Sequence, residues 1–428
     1  MVNVGRLFNW MLIAVVLIAA IIGFLYVTRG TAVRKVRGVG ADGTPVAPGE
    51  DEFPLTVSLL TGATLLSGNQ VEIVRDGAVF PRLWADLRNA KTFVTIQMYY
   101  ALSGEVTETL AEILAERALA GVRVVLLYDA FGAKALGGDY AKRLRKAGVQ
   151  VAAFRPLSFR GLWVVQNRAH VRAIIIDGEI GWTGGFGFDD KWLGEGKVGT
   201  GWRDTSVRLR GPAVLQLAEA GFAGWAEATG ELFTGRVNLP RRDGDVGAAA
   251  VLYTAPTLGS TPAERFLALS IAGARHKLFI TNAYFAPDKN FVALLVEAAS
   301  RGVDVQLLVG GPKTDVRVAR LAAHGRYEKL LAAGVRIYEY EPTTLHAKTF
   351  VVDGMWSSIG TMNFDNRSLA LNDEVTLMAL DAKFGEQMET IFRDDLSRAV
   401  PVDPAAFARR PLLEHAKEWC ANQITRVL

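Results

Sequence analysis

The chain has 428 residues, of which 50% are hydrophobic and 21% are charged. This composition excludes a chain that is disordered throughout, and the length allows two domains with substantial cores. A single cysteine, Cys420, excludes an internal disulfide and a cysteine-cluster metal site. The net charge of +4 and the pI of about 9.1 indicate mild attraction to anionic partners, but charge alone does not distinguish a phospholipid surface from nucleic acid.

The first segment with a clear pattern is the uncharged apolar run NWMLIAVVLIAAIIGFLYV, from Asn9 to Val27. Its length, and Trp10 and Tyr26 near its ends, predict one membrane-spanning helix at about residues 9–27, within an N-terminal anchor of residues 1–37. One charged residue precedes the run and a basic cluster follows it: Arg6, then Arg29, Arg34, Lys35 and Arg37. The positive-inside rule therefore predicts that the large C-terminal part lies in the cytoplasm. A cleaved signal peptide is the alternative, which the length of the run and the position of the basic cluster disfavour.

Residues 38–54, GVGADGTPVAPGEDEFP, lack apolar periodicity and are rich in Gly, Pro and acidic residues. Such a composition is typical of a flexible linker between a membrane anchor and a globular part. We expect the globular part to comprise a first lobe at residues 55–245 and a second lobe with a C-terminal tail at residues 246–428.

Helix-like and strand-like segments alternate in both halves of the globular part. In the first half the strand-like KTFVTIQMYY, the helical EVTETLAEILAERALA and the buried strand VRVVLLYDA follow one another. In the second half RHKLFITNAYF, NFVALLVEAASR and VDVQLLVGG repeat this order. The pattern predicts an α/β protein built from two homologous lobes.

The strongest signal is a pair of similar segments, RAHVRAIIIDGEIGWTGGFGFDD at residues 168–190 and TLHAKTFVVDGMWSSIGTMNFDN at residues 344–366. A constant offset of 176 residues aligns two histidines, two aspartates and two glycines without gaps: His170 with His346, Asp177 with Asp353, and Gly184 with Gly360. Agreement at this many positions favours an internal duplication.

The second copy carries groups suited to phosphate chemistry. His346 and Lys348 lie two residues apart at the head of a strand-like run, so their side chains emerge on the same face and can reach one phosphate. A histidine can attack phosphorus or move a proton near neutral pH, and a lysine can hold the oxygens on which negative charge builds. Asn363 can supply a further donor.

The HxKxxxxD pattern of the second copy resembles the phospholipase D superfamily, and the resemblance extends from about residue 70 to 400. Four longer segments are similar to the bacterial cardiolipin synthase branch: YDAFGAK at 128–134, GWRDTSVRLRGPAV at 201–214, NAYFAPD at 282–288 and IGTMNFDNRSLALNDEV at 359–375. The resemblance implies two lobes, each a mixed β-sheet flanked by helices, related by a pseudo-twofold axis on which both motifs form one active site. It also implies that one histidine becomes a phosphohistidine, that the other protonates the leaving alcohol, and that neither a metal nor another cofactor takes part.

Carried over by position, the resemblance implies six catalytic-motif residues: His170, Arg172, Asp177, His346, Lys348 and Asp353. Within this set the two aspartates match acids that support the local structure. It implies a second group that orients the histidines or binds substrate: Asp204, Glu374, Asn363, Gly184 and Gly360. Asp204 and Glu374 match the acids that hydrogen-bond the histidines.

The first copy departs from the family pattern at two positions. Arg172 stands where the family has lysine, and Gly187 stands where it usually has asparagine. Arginine keeps the charge but is larger and planar. Glycine lacks a donor, and losing a donor that acts on the transition state costs about 3 kcal/mol. The two changes leave reduced or redirected activity open.

The preferred hypothesis is a phosphatidyltransferase of the bacterial cytoplasmic membrane that makes cardiolipin from two phosphatidylglycerol molecules. Its expected partners are the membrane and anionic phospholipids, with no obligatory nucleic acid, and the sequence does not indicate an oligomeric state. Hydrolysis of phospholipids, cleavage of nucleic acid and a catalytically silent lipid-binding role stay open as alternatives. The nuclease alternative lacks the interleaved aromatic and basic residues of a single-strand groove.

Overall fold

The computed structural model of the chain describes residues 4–156, 166–234, 243–257 and 259–424. Its α-helices are α1 (Val4–Val27), α2 (Phe53–Thr61), α3 (Val79–Arg88), α4 (Glu105–Leu119), α5 (Gly138–Lys146), α6 (Ala213–Thr229), α7 (Pro262–Gly273), α8 (Lys289–Ser300), α9 (Arg317–Ala332), α10 (Ala382–Leu396), α11 (Pro404–Ala408) and α12 (Leu412–Ile424). Its strands are β1 (Gln70–Arg75), β2 (Phe93–Met98), β3 (Arg123–Asp129), β4 (Gln150–Phe154), β5 (Arg172–Ile176), β6 (Ile180–Gly184), β7 (Thr205–Arg210), β8 (Ala248–Thr254), β9 (Lys277–Asn282), β10 (Asp304–Gly310), β11 (Arg336–Tyr340), β12 (Lys348–Val352), β13 (Trp356–Gly360), β14 (Glu374–Leu380) and β15 (Ala399–Pro401).

The strands form two mixed sheets with matching topology. The first sheet has the order β1-β7-β6-β5-β2-β3-β4, and the second has the order β15-β11-β10-β9-β12-β13-β14-β8. Read from opposite ends, the two orders are the same except for the short edge strand β15. This repeat confirms the predicted α/β fold of two homologous lobes, each a mixed sheet flanked by helices.

Strand direction places the functional segments at one edge of each sheet. β2, β3 and β4 run parallel, as do β9, β10 and β11, whereas β5 and β12 run antiparallel to their neighbours β2 and β9. The carboxyl ends of the parallel strands therefore lie beside the amino ends of β5 and β12. Those amino ends follow directly after the two motif histidines.

Both central strands are buried on both faces, which explains their runs of β-branched residues. β5 has the sequence RAIII with every position buried, and β12 has the sequence KTFVV with one half-buried position. One hydrophobic cluster fills each lobe, and a third contains residues of both sheets, including Ile175 of β5 and Leu377 of β14. The two sheets are therefore packed against each other through a shared core.

The N-terminal helix α1 stands outside this core. Residues Asn9–Tyr26 have a mean hydropathy of 2.3, and none of them is buried in the protein. A helix of 24 residues is about 36 Å long, which is enough for the roughly 30 Å hydrocarbon layer of a bilayer. In length and composition, α1 is one helix that can cross a membrane.

Residues 45–48, within the segment that the sequence predicts as a flexible linker, are instead packed on the second lobe. Ala47 is buried, Val46 packs against the second-lobe core, and Arg275 donates to the carbonyl of Pro45. These tertiary contacts hold a segment whose composition alone favours flexibility. Helix α2 also packs into the second-lobe core through Phe53, although the sequence-based boundary assigns residues from 55 onwards to the first lobe.

Candidate active site

Backbone bonds between the lobes bring the two motifs together. The amide of Asp373 donates to the carbonyl of Arg168 (2.9 Å), and the amide of His346 donates to the carbonyl of Arg203 (2.7 Å). Parallel bridges join Ala169 to Asp373 and Arg203 to Leu345. In each case the residue before a histidine pairs with the residue before an acid of the other lobe, so the bridges repeat the pseudo-twofold symmetry.

Each motif histidine contacts an acid from the opposite lobe. Nδ1 of His170 lies 2.9 Å from both carboxyl oxygens of Glu374, and Nδ1 of His346 lies 3.3 Å from Oδ2 of Asp204. The Trp192 indole N–H donates to the same Asp204 oxygen (2.8 Å), which fixes that carboxylate. A carboxylate at Nδ1 favours the proton on that nitrogen and leaves Nε2 for chemistry.

The surroundings of the two histidines differ electrostatically. Burial, followed by the charges of Arg172 and Lys348, holds the pKa of His170 well below its usual range. Burial and then Lys348 lower the pKa of His346 to about 4, but here the hydrogen bond and charge of Asp204 act in the opposite direction. Both histidines therefore favour the neutral form before substrate binds, and each has a carboxyl partner that can stabilise a protonated ring.

Arg172 and Lys348 occupy equivalent places despite their different side chains. Nη1 of Arg172 donates to the carbonyl of His170 (3.0 Å), and Nζ of Lys348 donates to the carbonyl of His346 (2.7 Å). Nε of Arg172 also donates to the carbonyl of Phe186 (3.1 Å). The arginine thus reproduces the lysine's backbone bond and adds one of its own, so the site keeps two buried cations.

The pH dependence of the site is expected to follow Lys348. Burial lowers the pKa of this amine to about 7, so the cation that holds a phosphate is present below pH 7 and is lost above it. We expect kcat/KM to fall as the pH rises through about 7, and the kcat profile to fall at higher pH because a bound phosphate anion raises the amine pKa. Initial rates from pH 5 to 9 test this. Lys348→Arg should remove the alkaline fall, and a fall that persists in this variant would assign it to another group.

The two motif aspartates lie at the far edge of the sheets. Asp177 accepts from the amides of Lys91, Thr92 and Phe93, and Asp353 accepts from the amides of Arg275, His276 and Lys277. Both adopt positive φ angles, 55° and 51°, in the turns that follow β5 and β12. Each lies seven positions after its histidine, which corresponds to roughly 20 Å along an extended chain. They support the local structure, as the resemblance implied, and the structure does not bring them to the cavity.

The aligned glycines also serve packing. A Cβ at Gly184 would lie 2.5 Å from Cα of Ser206, and a Cβ at Gly360 would lie 2.5 Å from the carbonyl oxygen of Val375. Side chains at these positions would displace the neighbouring strands β7 and β14, so both residues act on the site only through the sheet.

Asn363 and Gly187 occupy equivalent positions in the two lobes, but only Asn363 has a side chain that can bind substrate. Asn363 is buried in the cavity wall, and its Oδ1 has no hydrogen-bond partner among the described residues. At the equivalent Gly187, a Cβ would lie 3.0 Å from Cδ1 of Tyr100 and 3.1 Å from the ring of Trp192. A side chain at this position would therefore be in tight contact with two aromatic rings, which would have to move to accommodate it.

Gly187→Asn is consequently expected to destabilise the protein without raising turnover. Overpacking of this kind costs about 1–3 kcal/mol, which should appear as a lower midpoint of thermal unfolding. Turnover and the midpoint of thermal unfolding, both measured for the variant and for the parent protein, test this prediction. A variant with unchanged stability and a higher rate would show that an asparagine is accommodated there and donates to substrate.

The histidines open into a cavity of about 600 Å³. It has an aromatic wall that the sequence analysis did not identify: Tyr99, Trp192, Trp202 and Tyr284. The rings of Tyr99 and His170 lie 4.6 Å apart, and those of Trp192 and His346 lie 5.2 Å apart. One feature of the sequence points to this wall. Asp204 comes 20 positions after Gly184, whereas Glu374 comes only 14 positions after Gly360, and the longer segment of the first copy carries both tryptophans.

In the described part of the chain, no group of three His, Cys, Asp or Glu side chains is placed to hold a metal ion. The arrangement that is present consists of two histidines, two orienting acids and two cations around one cavity. Together with the duplicated α/β fold, it defines a two-lobed phosphodiester-processing enzyme of the phospholipase D type.

Comparisons with known proteins agree with this class. Residues 83–222 and 267–396 match the family described as cardiolipin synthase, PLD-like domain. Cardiolipin synthase A of Pseudomonas putida (strain W619) is 34% identical over 85% of this chain and 76% of its own length. Cardiolipin synthase A of Pseudomonas aeruginosa (strain LESB58) is 32% identical over 81% of this chain and 70% of its own length. The chain therefore belongs to the cardiolipin synthase family of phospholipase D-like enzymes.

Solved structures show the same fold at low sequence identity. Phosphatidylserine synthase from Haemophilus influenzae Rd KW20 aligns with a TM-score of 0.65 at 13% identity, covering 88% of this chain and all of the other. Polyphosphate kinase from Porphyromonas gingivalis aligns with a TM-score of 0.53 at 13% identity, covering 83% of this chain and 53% of the kinase.

Proposed function

We propose that this enzyme transfers a phosphatidyl group from one phosphatidylglycerol to the glycerol headgroup of a second, forming cardiolipin and releasing glycerol. The observation that carries the proposal is the pair of cross-lobe contacts, His170 with Glu374 and His346 with Asp204, around a single cavity. Two histidines at one cavity, each paired with an acid, supply the nucleophile and the proton carrier that a two-step displacement at phosphorus requires.

In the first step, Nε2 of His170 attacks the phosphorus of phosphatidylglycerol and a P–N bond forms. The P–O bond to the headgroup glycerol breaks, and His346 donates its proton to the leaving oxygen. Glu374 stabilises the positive charge that develops on the His170 ring. The bound phosphate anion raises the pKa of His346, so that this ring carries the proton it donates.

In the second step, a hydroxyl of another phosphatidylglycerol loses its proton to His346 and attacks phosphorus. The P–N bond breaks, cardiolipin leaves, and both histidines return to their starting states. Arg172 and Lys348 hold the nonbridging oxygens throughout, with Asn363 as a further donor in the cavity wall.

The test is mass spectrometry of lipids after the detergent-solubilised protein has been incubated with phosphatidylglycerol and a chelator. We expect equal amounts of cardiolipin and glycerol. Phosphatidic acid in their place would show that water is the acceptor, and the absence of any product would refute the transfer proposal. His276→Ala is a suitable control because this histidine is exposed and does not line the cavity.

We further propose that the catalytic part lies on the cytoplasmic side of a bacterial inner membrane, since the basic cluster follows α1. Cys420 is exposed, which makes it a natural reporter. A membrane-impermeant thiol reagent applied to intact spheroplasts should leave it unlabelled and should label it after lysis. Labelling before lysis would place this part outside.

A further inference from the structure

The C-terminal end of α1 is bonded to the rim of the active-site cavity. Asn167 donates to the Tyr26 hydroxyl (3.3 Å), Arg29 donates to the carbonyl of Ala370, and the Arg29 guanidinium lies 4.9 Å from the centre of the Tyr26 ring. Two residues on, the amide and hydroxyl of Thr31 donate to Oδ2 of Asp288 (2.8 and 2.6 Å). These contacts therefore hold the C-terminal end of α1 in a fixed position relative to the second lobe.

The two segments held by the anchor lead directly to a catalytic pair. Asn167 lies three residues before His170, and Ala370 lies four residues before Glu374. Residues beside these contacts, Gln166 and Arg367, line the cavity, and Arg367 donates to the carbonyl of Gln166 (2.8 Å). The end of α1 thus touches the rim at the point where the two lobes meet.

Another part of the rim carries an exposed aromatic residue beside a cation. Phe131 lines the cavity yet is 61% exposed, so it lies at the mouth, and Nζ of Lys134 lies 5.0 Å from its ring centre. Both follow the carboxyl end of β3, the same edge that carries the histidines. An exposed aromatic ring with a neighbouring cation suits the interface between lipid headgroups and acyl chains.

We propose that this rim, made of Phe131, Lys134, Gln166, Arg367 and the end of α1, lies in the bilayer interface and takes anionic phospholipid directly from the leaflet in which α1 ends. The anchor then sets the orientation of the site in addition to its distance from the membrane. A lipid enters with its phosphate toward the rim cations and its acyl chains beside α1. The proposal rests on the proposed function only for the identity of the lipid consumed.

A fluorescent label tests the orientation without any need for turnover. In a Cys420→Ser background, an environment-sensitive dye is attached through Phe131→Cys, or for comparison through Leu119→Cys. Leu119 is exposed at the end of α4, where the chain enters β3, and so lies at the opposite sheet edge. The full chain is reconstituted into vesicles of phosphatidylglycerol and phosphatidylcholine, with either a lipid-attached quencher or aqueous iodide.

We expect the dye at position 131 to be quenched by the lipid-attached group and protected from iodide, because interfacial residues lie within about 10 Å of the headgroup boundary. The dye at position 119 should show the reverse. Equal iodide access at the two positions would overturn the proposal, even in a protein that makes cardiolipin. Lipid quenching at position 131 in a protein that makes no cardiolipin would leave the proposal standing and would refute the proposed function.

The docking contacts are tested with Asn167→Ala combined with Arg29→Gln. Its matched control is Asn89→Ala with Arg34→Gln, which removes the same groups from exposed positions away from the cavity. Each of the two lost hydrogen bonds changes an equilibrium by a factor of about five, so we expect roughly 25-fold slower cardiolipin formation in vesicles and less lipid quenching at position 131. Rates in detergent micelles should match those of the control. An equal loss in vesicles and micelles, or no loss in either, would overturn the role of docking.

Discussion

His170→Ala is expected to lose the covalent step, with transfer falling by at least about a thousandfold, because this variant lacks the imidazole that attacks phosphorus in the proposed mechanism. The other imidazole in the cavity, that of His346, faces the leaving group in the proposed geometry. The variant should keep its fold, since the ring packs against Tyr99 and contacts Glu374 but is small beside the surrounding core. Rapid-quench measurements with phosphatidyl-p-nitrophenol as substrate should show no burst of p-nitrophenol.

His346→Ala is expected to behave differently on the same substrate. p-Nitrophenolate leaves without a proton, so His170 can still be phosphorylated, but the incoming alcohol has no base. A burst of p-nitrophenol should therefore be followed by a stalled phosphohistidine, seen by mass spectrometry of an alkaline digest. A burst from His170→Ala and none from His346→Ala would exchange the two roles. The parent protein and His276→Ala provide the reference rates.

Much of the fold follows from local sequence patterns. Apolar runs such as those of β5 and β12 are long enough and sufficiently β-branched to predict buried strands, and the gap-free offset between His170 and His346 predicts the duplication. The six-residue catalytic-motif set was likewise available from spacing and resemblance. Three of its members, His170, Arg172 and His346, line the cavity, and Lys348 lies directly behind His346. The two aspartates lie at the other edge of the sheets.

The remaining features depend on tertiary contacts that local patterns do not encode. Nothing in the sequence near Glu374 indicates that it serves the histidine of the other lobe, because that exchange follows from how the two sheets pack. The segment around Pro45 has the composition of a linker, but Arg275 and the second-lobe core hold it. From the sequence, Gly187 is interpreted as the loss of a hydrogen-bond donor, whereas the structure shows that a side chain there would be in tight contact with the ring of Tyr100.

Substitution of Glu374 is the second change from which we expect a large loss of activity, because this side chain controls which nitrogen of His170 carries a proton. The carboxyl group is buried, accepts from the Thr361 hydroxyl through Oε2, and faces Nδ1 of His170 with both oxygens. Burial raises the pKa of Glu374 well above its usual range, and the Thr361 bond and the charge of Arg172 oppose this rise without reversing it. The proposed mechanism uses the carboxylate form, which accepts the Nδ1 proton and leaves the Nε2 lone pair free to attack.

Glu374→Gln keeps the shape of this side chain but reverses the hydrogen bond. Thr361 donates to the amide oxygen, so the amide NH2 turns toward Nδ1 and forces the proton to Nε2, where it blocks attack on phosphorus. We expect kcat to fall by about three to four orders of magnitude with little change in KM, as for other carboxylate–histidine pairs in which the wrong tautomer is stabilised. Nitrogen-15 chemical shifts of His170 should report the exchanged tautomer. Asp204→Asn is the matched comparison and should cost less, because the contact of Asp204 with His346 is longer, at 3.3 Å, and His346 is not the nucleophile in the proposed mechanism. A Glu374→Gln rate within threefold of the parent, or a larger loss from Asp204→Asn, would contradict the assignment of His170 as the nucleophile that Glu374 orients.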